Sequence, residues 1–177
     1  YSKISFLNEH YIPSNLSNIT EKYLQNPKQE SQVHSKVNSF LKNMLDDAED
    51  DNIEINIISA YRSFSTQSTL KSSYTVHYGS GANAFSADQG FSEHQLGTTF
   101  DFTTPALGTA FSSFETTEAY KWLENNAYKY GFVLSYPKNN QYYVFEPWHW
   151  RFIGVKLATK LHRDGVYFYD VDQRDID

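Results

Sequence analysis

The sequence predicts an α+β fold: a single domain with a mainly antiparallel sheet flanked by helices. Three observations carry this. The periodicities run helix, strand, helix, strand, helix, hairpin, helix, an order that suits an α+β domain whose sheet is mainly antiparallel. The 177 residues suit one domain with a sizeable core and would cramp two. Neither an internal repeat nor a low-complexity linker divides the chain.

Residues 1–26, with "NEHYIPSNLSNIT", are polar and lack a period, and read as an arm packed on a domain that spans 27–177. From Pro27 to about Glu49, Val33, Val37, Phe40, Leu41, Met44, Leu45 and Ala48 recur at spacings of three and four, the mark of an amphipathic helix. Asn26–Pro27 supplies its start and "DDAEDDN" its end. "IEINIISAY" (53–61) is rich in β-branched residues and reads as a strand, and 63–77 as a polar helix. The stretch 78–91 holds three glycines and no period, so it is a long loop of the kind that is functional or mobile, and a candidate lid. "TTFDFT" is a short strand, and 116–131 a helix closed by Gly131. "FVLSY" and "YYVFE" form a hairpin across "PKNNQ", and a last helix runs from about Phe152 to Arg163.

Composition narrows the function classes. Apolar residues make up 40% and aromatics 17%, far from a disordered profile, and the 14 Tyr and 13 Phe suit clefts with half-polar walls. A net charge of −6 and the absence of long Lys/Arg runs argue against a nucleic-acid partner, which needs a basic face. Without cysteine, disulfides and thiolate metal sites are excluded. No apolar stretch approaches the ~20 residues that span a bilayer. Beginning at Tyr1, the chain reads as a processed or truncated product, and a signal peptide or a membrane or wall anchor upstream is an expectation.

Two runs carry chemistry: "SEHQLGTTFDFTT" (92–104) and "FEPWHWRF" (145–152). For His94 and Asp101 to share one ion, their donor atoms must lie within roughly 3–4 Å, since zinc–ligand bonds are ~2 Å. Seven residues of strand would part them by roughly 23 Å, and seven of helix by roughly 10 Å. The chain must therefore turn between them, and Gly97 can take the φ > 0 that such a turn needs. Beyond the turn, Phe100 and Phe102 share one strand face and Asp101 takes the other, aimed into a cleft. In "EPWHW", Pro147 ends any regular ladder after Glu146 and lets His149 face the same cleft. Two histidines and an aspartate leave a fourth zinc position for water, as catalytic sites do, and Glu146 is the candidate base for that water. The same residues also read as a packed histidine and the polar face of an edge strand. His77, beside the glycine-rich loop, is a spare ligand candidate.

"SAYRSFSTQ" (59–67), "SEHQLGTTFD" (92–101) and "EPWHWRF" (146–152) together resemble the VanY/LdcB group of bacterial D-alanyl carboxypeptidases, zinc peptidases of the larger family that includes the VanX dipeptidases. Each block alone is weak evidence; the three in series, spanning 59–152, are specific. The stretch before Ser92 departs from the group's usual form, with Gln89, Gly90 and Phe91 in place.

The resemblance implies Zn²⁺ held by His94, Asp101 and His149 in a central cleft, with Glu146 as the catalytic base. It assigns Arg62 to the terminal carboxylate, which a guanidinium grips through two parallel hydrogen bonds, with a further share in steadying the oxyanion. Gln67 and Ser92 match positions that help hold the terminal residue, and Trp148 lines the pocket wall. The implied activity is zinc-dependent removal of the C-terminal D-alanine from peptidoglycan stem peptides, as a D,D- or L,D-carboxypeptidase. The chain is then expected to be a bacterial, extracytoplasmic monomer. The alternatives are an endopeptidase of the same fold, for which Arg62 would be idle, and a non-catalytic zinc-bearing binding module, which would not need Glu146.

Overall fold

The protein is described here by a computed structural model, covering residues 6–78, 81, 86–141 and 144–172. Its elements are β1 (Leu16–Asn18), β2 (Gln32–His34), α1 (Ser35–Asp50), β3 (Asn56–Ser59), α2 (Phe64–Tyr78), β4 (Thr99–Thr103), α3 (Glu118–Asn126), β5 (Phe132–Leu134), β6 (His149–Phe152) and α4 (Val155–Asp164), with short 3-10 turns between them. The main sheet has four antiparallel strands in the order β3-β4-β6-β5, and β1 pairs with β2 as a separate ribbon. The α+β architecture with a mainly antiparallel sheet is thus what forms.

One apolar cluster holds the fold together. Val37, Leu41, Met44, Leu45 and Ala48 of α1 join Phe100 and Phe102 of β4, Phe132 of β5, Trp150 of β6 and Leu123 of α3 in it. Phe100 and Phe102 are fully buried and stack with ring centroids 5.9 Å apart. Phe40 of α1 meets Phe152 of β6 at 5.0 Å, tying the helix to the sheet. Because side chains alternate along a strand, this packing leaves Thr99, Asp101 and Thr103 on the opposite face of β4. That face is where the polar residues gather.

Besides a strand shortened to Asn56–Ser59 and a third helix that ends at Asn126 in a 3-10 turn, three boundaries differ from the sequence expectation. The first helix begins at Ser35, not Pro27, because Gln32–His34 pair with Leu16–Asn18 instead. The imidazole of His34 caps the helix by accepting the Lys36 N–H at 3.3 Å. Val33, which fitted the helical period, is buried from a strand. The expected hairpin is also corrected: β5 pairs with His149–Phe152 rather than with "YYVFE". Tyr142 and Tyr143 lie outside the described residues, and Val144–Glu146 are not in a strand. In "HWRF" the alternation was hidden because the face away from the core carries buried polar groups, not solvated ones. Finally, the last helix starts at Val155, since Phe152 completes β6 and Gly154 breaks the chain at φ 92°. Much of loop 78–91, including residues 79, 80 and 82–85, lies outside the described residues, as do residues 1–5.

Gly131 closes the 3-10 turn after α3 at φ 90°, where a Cβ would stand 2.7 Å from Phe152 Cε2 and 2.9 Å from the Val155 nitrogen. Gly131→Ala is expected to cost about 1–3 kcal/mol of stability through backbone strain and that collision. Urea unfolding checks it, and an unchanged midpoint would refute the packing described.

Candidate metal centre

The ladder between β4 and β6 sets Asp101 directly opposite His149. Residues so paired share one face with Cβ atoms about 5 Å apart, so a carboxylate and an imidazole meet without any special loop. Asp101 Oδ1 lies 3.3 Å from His149 Nδ1. His94 arrives from the 3-10 turn Glu93–Leu96, which Gly97 ends in the left-handed region at φ 69°. This is the turn the spacing of His94 and Asp101 required. His94 Nδ1 donates to the Ala60 carbonyl at 2.7 Å, fixing the ring and leaving Nε2 to face Asp101 Oδ2 at 3.3 Å. The three side chains each place one donor atom within 4.8 Å of the others.

Several features fit this set to a metal ion. His94 Nε2 and Asp101 Oδ1 are buried with no hydrogen-bond partner among the described residues, a costly state for polar atoms. Burial, with the nearby Arg62 charge, holds the His94 imidazole down to about 4, so its nitrogen lone pair is available. Burial also opposes charge on His149, yet its bonds to Asp101 and Glu93 outweigh this and push it up to about 10. Two imidazoles and one carboxylate, with room for one further ligand, are the donor pattern of an open zinc site.

Glu146 sits just before the Pro147–Trp148 turn, with Oε2 3.3 Å from His149 Nδ1. Burial pushes its carboxyl up to about 8. Arg62 lies between β3 and α2, and its backbone N–H donates to the His94 carbonyl at 3.2 Å. The guanidinium gives Nη1 to Gln67 Oε1 at 2.9 Å and Nη2 to Asp101 Oδ2 at 3.5 Å, while its buried Nε has no partner among the described residues. Gln67 is itself buried on α2 and donates to the Ala87 carbonyl at 2.7 Å. Arg62 is thereby aimed from two sides.

A cleft of about 590 Å³, counting its open mouth, is lined by Arg62, Gln67, Ser92, Trp148 and Glu146 together with the three donors. Ser92 begins the turn that carries His94, and its side chain makes no cap bond there. All the residues singled out from the sequence thus reach one cleft, apart from His77, an exposed residue in the last turn of α2 that does not line it.

Sequence reading missed Glu93, Tyr136, Arg151 and Tyr169. Glu93 Oε2 accepts from His149 Nε2 at 2.8 Å, and Oε1 accepts from Arg151 Nη1 at 2.8 Å and from the Tyr169 hydroxyl. Tyr136 places its ring 4.7 Å from that of His149. A signal existed: Glu93 and Arg151, of opposite charge, stand one and two residues from a ligand inside the motif blocks. Tyr169 gave none.

Comparison with known proteins agrees with this geometry. The family model described as VanY: D-alanyl-D-alanine carboxypeptidase matches residues 30–155. YodJ of Bacillus subtilis (strain 168) is 35% identical over 135 residues, covering 73% of this chain and 50% of that protein. A D-alanyl-D-alanine carboxypeptidase of Enterococcus faecalis (strain ATCC 700802 / V583) is 26% identical over 147 residues, covering 76% and 53%. The chain therefore spans about half the length of these curated relatives. Among solved structures, the LdcB LD-carboxypeptidase, described as revealing the molecular basis of peptidoglycan recognition, superposes with a TM-score of 0.81 at 30% identity, over 92% of this chain and 78% of that one.

Proposed function

The chain belongs to the VanY family of D-alanyl-D-alanine carboxypeptidases, and from that premise we propose that it is a zinc carboxypeptidase releasing the C-terminal D-alanine of peptidoglycan stem peptides. The observation that carries the reading is the convergence of His94, Asp101 and His149 with Glu146 and Arg62 in one cleft. A binding module would have no use for Glu146, and an endopeptidase none for a guanidinium lining the cleft.

His94 through Nε2, Asp101 and His149 through Nδ1 would hold the metal. When bound, zinc supplies an acidified water and polarises the scissile carbonyl. Arg62 receives the substrate's terminal carboxylate. Its Nε is a donor without a partner among the described residues, and Gln67 keeps the fork from swinging away. Ser92 and Trp148 line the same cleft. Glu146 takes the proton from the attacking water at its carboxylate and returns it to the leaving amine. Its burial raises the carboxyl's proton affinity, which suits a group that must hold a proton in mid-reaction. A peptidoglycan substrate places the protein outside the cytoplasmic membrane. Among the described residues no helix is long and apolar enough to cross one.

The test is D-alanine release from two stem peptides, one ending in D-Ala-D-Ala and one a tetrapeptide ending in L-Lys-D-Ala, each with added zinc and with a chelator. Release that the chelator abolishes, and that C-terminal amidation of the same peptide blocks, is the expected result. The preferred peptide gives the penultimate specificity. Failure on both peptides by the folded, zinc-loaded protein would overturn the reading, and cleavage of the amidated peptide would favour an endopeptidase.

A further inference from the structure

The geometry points to Glu93 as a positioning residue for His149, held in place by Arg151 and by Tyr169 from the C-terminal turn Phe168–Asp170. The inference rests on the zinc reading above and extends the centre to residues that do not touch the ion.

Glu93 is fully buried, yet it is a carboxylate. Burying a charge is costly unless it is paired and hydrogen-bonded. Here both oxygens are engaged. Oε2 takes the His149 Nε2–H at 2.8 Å, while Oε1 takes Arg151 Nη1 at 2.8 Å and the Tyr169 hydroxyl. Arg151 Nη1 stands 3.0 Å from that hydroxyl as well, and its guanidinium lies over the Phe168 ring at 4.9 Å. Replacing such a buried ion pair by apolar residues is often neutral or stabilising, so stability alone gives little reason for its presence.

Its contact with His149 supplies the reason. A carboxylate on Nε2 fixes the proton there and leaves Nδ1 as the ring's one lone pair, the atom facing Asp101 and Glu146. Tyr136 packs on the imidazole at 4.7 Å and stacks in turn on Tyr169, 6.2 Å away with the rings 4° from parallel. His149 is thus held through one nitrogen and one face. The same 3-10 turn carries Glu93 and His94, so the two histidines are set by adjacent residues.

Metal-free full-length protein and its Glu93→Gln variant are titrated with Zn²⁺ against a chromophoric chelator, and their Co²⁺-substituted forms compared by visible absorption. The variant is expected to bind one zinc with affinity weakened about 10–100-fold, with an altered cobalt spectrum. Tyr169→Phe, which leaves Glu93 and Arg151 in place, is expected to weaken zinc by about three- to tenfold, with the cobalt spectrum altered in the same direction. If Glu93→Gln does not fold, Tyr169→Phe decides the matter alone. Unchanged zinc affinity and cobalt spectrum in the folded variants would overturn the inference. Failure of the wild-type protein to bind zinc would instead overturn the metal-centre reading on which it rests.

Discussion

Glu146→Gln is expected to lower kcat for D-alanine release by about 10²–10⁴-fold, the range that a positioned acid–base group contributes. Zinc binding should survive, because Glu146 stands beside His149 and outside the donor set His94, Asp101 and His149. The amide keeps the shape of the carboxyl and the site's packing but can neither accept the water's proton nor return one. Steady-state kinetics with metal analysis of the same sample reads both halves. Loss of rate together with loss of zinc would mean that Glu146 is a ligand. A rate within a few-fold of wild type would remove it from the chemistry altogether.

Asp101→Ala is the other large effect, and it acts earlier in the scheme. Removing a donor from a three-ligand site is expected to weaken zinc by more than about 100-fold, beyond what the loss of a supporting contact costs. Activity should fall to background at stoichiometric zinc. The fold should hold, because β4 pairs through its backbone and the core side of the strand is carried by Phe100 and Phe102. Arg62 would also lose a partner now 3.5 Å away, so high zinc should rescue only part of kcat/KM. Equilibrium dialysis and far-ultraviolet circular dichroism separate these effects. Full zinc occupancy in the variant would show that Asp101 is not needed to hold the ion.

The metal cluster was legible because its ligands are rare residue types at spacings that demand a turn, and Gly97 marked where the turn had to be. Arg62 became legible only through the family's motif, since an isolated arginine after a strand has many uses. The hairpin was misread for a physical reason. "YYVFE" has the aromatic and β-branched character of a strand, whereas "HWRF" alternates apolar with polar residues that are nonetheless buried. The first helix was drawn too long because Val33 satisfies both a helical period and a strand's inward face. Glu93 escaped notice because a charged residue beside a ligand ordinarily reads as solvated. Its third partner, Tyr169, lies 76 residues away, beyond any local pattern.

The pairing of Asp101 with His149 has a consequence for how this sequence can vary. The two face each other across adjacent strands, and so do Phe100 and Trp150 one step along. A slip of one residue in either strand would exchange those sets, sending a ligand into the apolar cluster and an aromatic ring into the cleft. Hydrophobic sorting and metal coordination therefore enforce the same alignment. Insertions and deletions can accumulate in the connecting loops, but a single one inside β4 or β6 would remove the core and the chemistry together. Lineages that lose the activity by drift should therefore do so by point substitution in the cleft, with both strands kept at their present length.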